Sequence, residues 1–378
     1  LKRLAATGQS MSETEHEQTL ESLRHRIDRL DEQIQTLISE RATLAVQVGD
    51  SKGPTLQPVD YYRPEREAQV LRRVLERNRG PLSNSQMLRL FREIMASCLA
   101  QQEPLRIAYL GPEGTFTHQA VLRHFGHAVR PVAQASVEAV FQEVRASDAD
   151  FGVVPVENSS QGVVSHTLDM FIDSPLKICA EVELRIHQNL VTAAAGLNEI
   201  ERVYSHPQSL SQCRYWLRRH LPEAELLPVS SNAEAVRRVR HAPDAAAIGG
   251  ENAAQVYGLP ILFARIEDHP DNTTRFLVLG RELFPPSGED KTTLLLAGHD
   301  GPGALYQMLA PLAQAGVNMT RIESRPAPGA NWDYVFFVDV EGHAAEQPLV
   351  TALAALRQVA DVTVLGAYPR AIREDSGE

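Results

Sequence analysis

Cysteine is scarce in this chain. Cys98, Cys179 and Cys213 are odd in number, far apart and never in a Cys-x-x-Cys spacing. A disulfide framework and a thiolate zinc site are therefore disfavoured, and a reducing cytoplasm fits. Positive charge is also in deficit: the net charge of −11 argues against general binding to nucleic acid or anionic membranes, because phosphate surfaces reward excess Lys and Arg. Any anionic ligand must then meet locally placed cations. No apolar run approaches the ~18–20 residues that span a bilayer, and the N-terminus lacks the apolar core of a signal peptide. The 13 histidines are scattered without His-Glu-x-x-His spacing, so no metal is implied.

What the chain does have is size and apolar content. Its 378 residues exceed what one hydrophobic core serves, and 43% hydrophobic residues can fill two or three cores. Residues 1–10 precede Met11 and are set aside as a tail or an upstream start-site artefact. From about Glu13 to Lys52 there is no proline, and Leu23, Ile27, Leu30, Ile34, Leu37, Leu44 and Val48 recur in steps of four and three. That spacing predicts one long helix with a heptad-like seam. The same ladder reaches Arg41 and Lys52, which places two cations on a packing face. A seam guanidinium needs a carboxylate of the protein, such as Glu32 or Glu67, or an anionic ligand. Two shorter helices follow, roughly Pro64 to Asn78 and Ser85 to Gln102.

At Pro104 the pattern changes to short β-rich runs alternating with helical stretches, as in α/β folds. Strands are expected at Arg106–Leu110, Phe151–Val156, Lys177–Arg185, Arg202–Tyr204, Ala245–Ile248 and Phe276–Leu279. Two βα groups with a late return strand suit a two-lobed domain with a cleft. Three polar segments follow strands: 111–118 (Gly-Pro-Glu-Gly-Thr-Phe-Thr-His), 155–160 and 205–209. Each reads as a capped turn when taken alone; together they can converge on a ligand at the carboxyl ends of the strands. Pro285-Pro286-Ser287-Gly288 marks a linker, and beyond it the order βαββαβ is expected before a polar tail.

Residues 271–276, Asp-Asn-Thr-Thr-Arg-Phe, place two hydroxyls, an amide and a guanidinium directly before an apolar run. Thr274-Arg275-Phe276 resembles the signature of prephenate dehydratases, as do the three polar segments and Gly250-Glu251-Asn252-Ala253-Ala254. Leu23-Arg24, Glu40-Arg41, Lys52, Arg66-Glu67 and Gln102 resemble the all-helical chorismate mutases, with two departures: Arg63 where an aspartate is common, and Cys98 where a serine is common. Gly303-Ala304-Leu305 and Glu323-Ser324-Arg325-Pro326 resemble a phenylalanine-binding ACT domain. The whole chain thus resembles the family of bifunctional chorismate mutase–prephenate dehydratases.

The resemblance implies a multidomain α and α/β chain. Residues 11–103 would form an all-helical mutase domain built as an intertwined dimer, 104–284 a two-lobed α/β dehydratase domain, 285–290 a linker, 291–370 the ACT domain, and 371–378 a tail. It implies that Arg24 and Arg41 clamp the carboxylates of chorismate with support from Arg66, that Lys52 and Gln102 face the ether oxygen, and that Glu67 holds the hydroxyl. In the dehydratase, Thr274 is the catalytic hydroxyl. Arg275 is a carboxylate partner for prephenate, with a structural salt bridge as the alternative reading; Thr115, Thr117, Glu157, Asn158, Ser159, His206 and Gln208 position the substrate. His206, before Pro207, reads as a turn residue rather than a base. L-phenylalanine is the implied effector at Gly303, Ala304, Leu305, Glu323 and Ser324. No cofactor is implied, and a homodimer or higher homo-oligomer is expected. Two rivals stand beside this reading: an arogenate-preferring dehydratase of the same architecture, and a non-catalytic amino-acid-responsive binding protein.

Overall fold

The computed structural model describes residues 13–51, 62–101, 103–160, 162–298, 301–327 and 334–372. Two units are distinct, Leu1–Thr55 and Leu56–Glu378. In the first, α1 runs unbroken over Glu13–Ser51. Its apolar ladder is exposed along its length, with Leu23, Ile27, Leu30, Ile34, Leu37, Leu44 and Val48 each at least half accessible. Lys52, the last step of that ladder, lies outside the described residues, as does Gln102.

The second unit opens with a helical hairpin, α2 (Pro64–Arg77) and α3 (Asn84–Leu99). Proline at the first turn starts α2, where its missing N–H is no loss. A reciprocal Ser83–Gln86 capping box starts α3. The α/β part then contains β1 (Arg106–Leu110), α4 (Phe116–Phe125), β2 (Arg130–Gln134), α5 (Val137–Arg145), β3 (Phe151–Asn158), β4 (Gly162–Val163), α6 (Ser165–Ile172) and β5 (Lys177–Arg185). The chain crosses to a second lobe of β6 (Asn189–Thr192), β7 (Arg202–Ser205), α7 (Pro207–Gln212), α8 (Arg214–His220), β8 (Glu225–Pro228), α9 (Asn232–Val239), β9 (Ala245–Gly249), α10 (Glu251–Tyr257) and β10 (Ile261–Phe263). It returns along β11 (Thr273–Gly280), which lies antiparallel between β3 and β5. The two lobes have separate sheets, so residues 186–188 and 264–272 are the crossings between them.

The C-terminal module is β12 (Asp290–Ala297), α11 (Ala304–Gln314), β13 (Met319–Pro326), β14 (Tyr334–Glu341), α12 (Leu349–Leu356) and β15 (Asp361–Pro369), the expected βαββαβ order. One face of its sheet packs under α11 and α12 through Leu294, Leu296, Val338 and Leu353. The other face, with Leu295, Phe337 and Leu365, shares a core with Phe141, Phe171 and Leu277 of the first lobe. The segment at 285–290 is firmly held. Ser287 and Asp290 are buried, the Asp290 carboxylate accepts from the Ser287 and Gly288 amides, and Arg72 of α2 donates to the Ser287 and Glu289 carbonyls.

Among the described residues ten strands form one sheet, β13-β14-β12-β15-β5-β11-β3-β1-β2 with β4 beside β3. The module joins the first lobe where Gly366 of β15 pairs with Ile178 of β5. A Cβ on Gly366 would stand 2.3 Å from the Ile178 carbonyl oxygen, so this approach depends on glycine. No helix among the described residues is long and apolar enough to cross a membrane.

Gly366→Ala should therefore destabilise the second unit by about 1–3 kcal/mol, the usual penalty of overpacking against atoms that cannot yield. Chemical denaturation would report this as a lower midpoint; an unchanged midpoint would contradict the close approach.

Candidate active site

The two lobes enclose a cavity of about 470 Å³. Its first-lobe wall comes from the ends of β3 and β11 and the turn entering α4. Its second-lobe wall comes from the turns entering α7 and α9. Thr115 caps α4, taking the His118 N–H at 3.3 Å, and Ser231 caps α9 by accepting from Glu234 N. Gly250 abuts Phe116 and Tyr257 donates to the Glu113 carbonyl, so the lobes also touch each other beside the cavity.

Thr274 stands in register with Asn158 on the neighbouring strand. Asn158 Nδ2 donates to Thr274 Oγ1 at 2.8 Å and to Asn272 Oδ1 at 2.8 Å. The orientation of that amide is determined by its other end: the Ser160 backbone N–H, which can only donate, points at Asn158 Oδ1. The group facing Thr274 is therefore the amide nitrogen, Thr274 is an acceptor, and its own proton is left to be given. The network continues across the crossings. Asn272 and Gln188 both donate to Gln212 Oε1, Gln188 and Asn232 donate to Ser209 Oγ, and Ser205 donates to Asn232. Gln212 Nε2 is buried without a protein partner, a donor available to a ligand.

Among the described residues, the side chains lining the cavity carry no carboxylate, lysine or arginine. His206 lines it too, but its Nδ1 accepts the Gln208 N–H at the start of α7, and burial lowers its pKa, so it stays neutral. The described lining offers an anion hydroxyls, amides and the N–H end of α4.

The family is identified by comparison with known proteins. Three family models match: chorismate mutase type II over residues 23–103, prephenate dehydratase over 107–283 and the ACT domain over 292–358. A bifunctional chorismate mutase/prephenate dehydratase of Pseudomonas aeruginosa is 50% identical over 93% of this chain and 98% of its own. That of Stutzerimonas stutzeri is 49% identical with the same coverage. The chain belongs to the bifunctional chorismate mutase/prephenate dehydratase family. Among solved structures, a prephenate dehydratase of Arthrobacter aurescens in complex with L-Phe is 37% identical, covers 71% of this chain and 90% of its own, and superposes with a TM-score of 0.66. GqqA, described as a novel type of quorum-quenching acylase, is 30% identical over 70% of this chain and 98% of its own, with a TM-score of 0.65.

Thr274, Asn158, Thr115, Thr117, His206 and Gln208 of the expected dehydratase site line the cavity. Three others do not. Arg275 and Glu157, expected to hold substrate, are the next pair in the β11–β3 register and project from the opposite face of the sheet, because successive strand residues alternate faces. Arg275 is bound by Glu181 at 2.8 Å and Asp339 at 2.7 Å, and Glu157 by Arg321 at 3.1 Å. Arg275 is thus a structural salt bridge, the alternative weighed from the sequence. Ser159 instead ties the end of β3 to the turn before β11, accepting from Thr273 N and donating to the Asp271 carbonyl. Sequence reasoning missed Asn272, Gln188, Ser209, Gln212 and Asn232. Asn272 and Ser209 lay inside polar runs already singled out; Gln188, Gln212 and Asn232 are neutral residues whose proximity only the fold creates.

Of the residues expected in the mutase site, Arg24 is exposed and Arg41 partly covered on α1, Arg66 is exposed on α2, and Glu67 is partly covered on α2 beside Tyr62, Arg92 and His124. In the C-terminal module, Gly303 adopts a left-handed conformation at the start of α11, followed by Ala304 and Leu305, while Glu323 and Ser324 lie on β13.

Burial pushes the Glu67 carboxyl up to about 7, against the opposing pull of Arg92 and of a hydrogen bond from Tyr62. The folded chain therefore keeps this proton where the unfolded chain has lost it, and Glu67 contributes a stability that fades as pH rises from 4.5 to about 7. Glu67→Gln should gain on the wild type across that window, by at most ~3 kcal/mol. Unfolding free energies of both chains at each end of the window would check this, and a gap that does not change with pH would refute it.

Proposed function

We propose that Thr274 is the hydroxyl that drives dehydration of prephenate in the cleft, and the observation that carries this reading is its hydrogen bond from Asn158. Conversion of prephenate to phenylpyruvate breaks the bond to the ring carboxylate, whose electron pair enters the ring as carbon dioxide leaves. The ring hydroxyl departs and must take up a proton to become water. Aromatisation supplies a large driving force, so a strong hydrogen bond or proton to the leaving oxygen is the main requirement. A threonine whose oxygen is already occupied as an acceptor is oriented to give it. Gln212, Asn272 and the N–H groups entering α4 are the donors we assign to the remaining substrate oxygens.

The neutral lining supports the same chemistry. A guanidinium on the ring carboxylate would stabilise the group that has to leave as neutral carbon dioxide, favouring the bound substrate over the transition state. Helix-end amides hold an anion less tightly than a fixed charge.

For the first reaction, the family resemblance leads us to assign Arg24 and Arg41 to the carboxylates of chorismate with Arg66 in support, Lys52 and Gln102 to the ether oxygen, and Glu67 to the hydroxyl. A Claisen rearrangement needs no nucleophile and no net proton transfer, so positioning and electrostatics supply the rate. Along one continuous α1, the two arginines stand ~25 Å apart at ~1.5 Å per residue. A small dianion does not span that distance, so the two arginines of one site come from two copies, and the exposed apolar ladder of α1 offers the seam that joins them. L-phenylalanine, the ligand of the Arthrobacter aurescens structure, is the effector we assign to Gly303, Ala304, Leu305, Glu323 and Ser324 in the C-terminal module.

Thr274→Val removes the hydroxyl at nearly constant volume and should lower dehydratase kcat by about 10²–10⁴-fold while sparing mutase activity. Steady-state turnover of supplied prephenate decides it, and wild-type turnover would end the role of Thr274.

Mixing Arg24→Ala chains with Arg41→Ala chains should restore part of the mutase activity that each lacks alone, because one site of a mixed dimer keeps both arginines. Demonstrated heterodimers with no recovered activity would refute sharing between subunits.

A further inference from the structure

The same two strands present different groups on their two faces. On the cleft face lie Thr274 and Asn158; one position along each strand, on the opposite face, lie Arg275 and Glu157. The C-terminal module holds both of these. Asp339 of β14 binds Arg275 Nη1 at 2.7 Å and the Tyr368 hydroxyl of β15 accepts from Nη2 at 3.0 Å. Thr293 of β12 fixes the other Asp339 oxygen at 2.6 Å and is itself bonded to Tyr368. Lys291 of β12 completes the cluster by binding Glu181, the second carboxylate on Arg275, at 2.6 Å. Arg321 of β13 binds Glu157, and four positions further along Arg325 binds Asp169 of α6 in a two-point contact at 2.9 Å.

We infer that Arg275 and Glu157 are positioning residues through which the C-terminal module sets the geometry of Thr274 and Asn158, so that the module controls dehydratase turnover rather than substrate affinity. The inference rests on the reading of Thr274 as the catalytic hydroxyl. Its physical basis is the shortness of the lever. The Arg275 side chain is 11% exposed and that of Asp339 3%, so neither charge can swing into water if the module shifts over the sheet. A displacement of β14 is passed to the Arg275 backbone, and the neighbouring residue is Thr274. The arrangement also gives an effector a route. Glu323 and Ser324 lie on β13 between Arg321 and Arg325, so a ligand that moves this strand acts on both of its grips on the first lobe. An effector needs only to favour one of two placements of the module.

The test compares full-length variants by both activities. Asp339→Asn keeps the size of the group and removes its charge; Thr293→Val removes only the hydroxyl that orients Asp339. Mutase activity of each preparation reports an intact chain. Dehydratase kcat should fall about tenfold or more in Asp339→Asn and less in Thr293→Val, with KM within about twofold, because small misplacements of a reacting group act on turnover. A purely structural role would lower kcat in any background. Here the effect should vanish when Asp339→Asn is introduced into Thr274→Val, since the group being positioned is gone. Unchanged kcat in Asp339→Asn and Thr293→Val overturns the inference, as does a full additive loss in the double variant. If Asp339→Asn yields no intact chain, Thr293→Val and its combination with Thr274→Val decide by the same criteria. Wild-type turnover in Thr274→Val alone would overturn the catalytic reading, and this inference with it; impaired Thr274→Val with additive Asp339→Asn overturns only the positioning role.

Discussion

The guanidinium of Arg275 sits between two carboxylates that belong to different domains, Glu181 of the first lobe and Asp339 of the C-terminal module. Burial alone would raise both carboxyls, but Arg275 and Lys291 overcome it and hold them below their usual range. Two cations and two anions close into a neutral cluster, with Thr293, Tyr368 and the Ala371 amide taking up remaining hydrogen-bonding positions. Such a cluster adds little stability over apolar packing but strongly penalises any arrangement that separates its members. It therefore specifies how the module sits. The apolar contacts of Leu295, Phe337 and Leu365 with Phe171 and Leu277 supply adhesion, and adhesion alone would tolerate sliding.

That specification matters because the face proposed as catalytic is built from neutral groups. An active site held by buried charges orients itself through strong, local forces. A chain of amides and hydroxyls such as Asn158, Asn272, Gln212 and Ser209 has weaker individual bonds and depends on the backbone to place each partner. In this protein the charges lie behind the site, on the reverse of the same strands. On the proposed reading, function and rigidity thus fall on opposite faces of β3 and β11. If the cleft binds prephenate as we propose, such a division lets the substrate carboxylate be lost without a cation opposing its departure.

How much of this was legible in the sequence depended on periodicity. The long seam of α1, the change of pattern at Pro104 and the βαββαβ module are carried by apolar spacing, and spacing survives without three-dimensional information. Edge strands were lost: β2 reads Arg-Pro-Val-Ala-Gln and β8 Glu-Leu-Leu-Pro, each pairing on one side only and too polar to alternate clearly. The error about Arg275 has the same origin. Residues 271–276 were read as a polar cluster entering a strand that begins at Phe276, and in a loop any side chain can face a ligand. The strand begins at Thr273, its neighbours β3 and β5 extending its pairing over the polar residues. Once Thr274 is in a strand, the face of Arg275 follows from alternation, and so does that of Glu157 beside Asn158.

The fold by itself leaves the chemistry open, since a described acylase shares it at a TM-score of 0.65. What narrows the choice is the hydrogen-bond polarity at one hydroxyl. An acyl-transfer nucleophile needs a base that accepts the hydroxyl proton. Thr274 instead meets an amide nitrogen, which can only donate, and His206 is occupied at Nδ1 as a helix cap. The oxygen is thereby made a poorer nucleophile and its proton a better donor, because a hydrogen bond received by the oxygen draws charge away from it. A group arranged in that way assists departure of a leaving hydroxyl and opposes attack on a carbonyl. On the proposed reading of Thr274, the direction of a single bond, determined by the Ser160 amide on the far side of Asn158, favours dehydration over acyl transfer in this cleft.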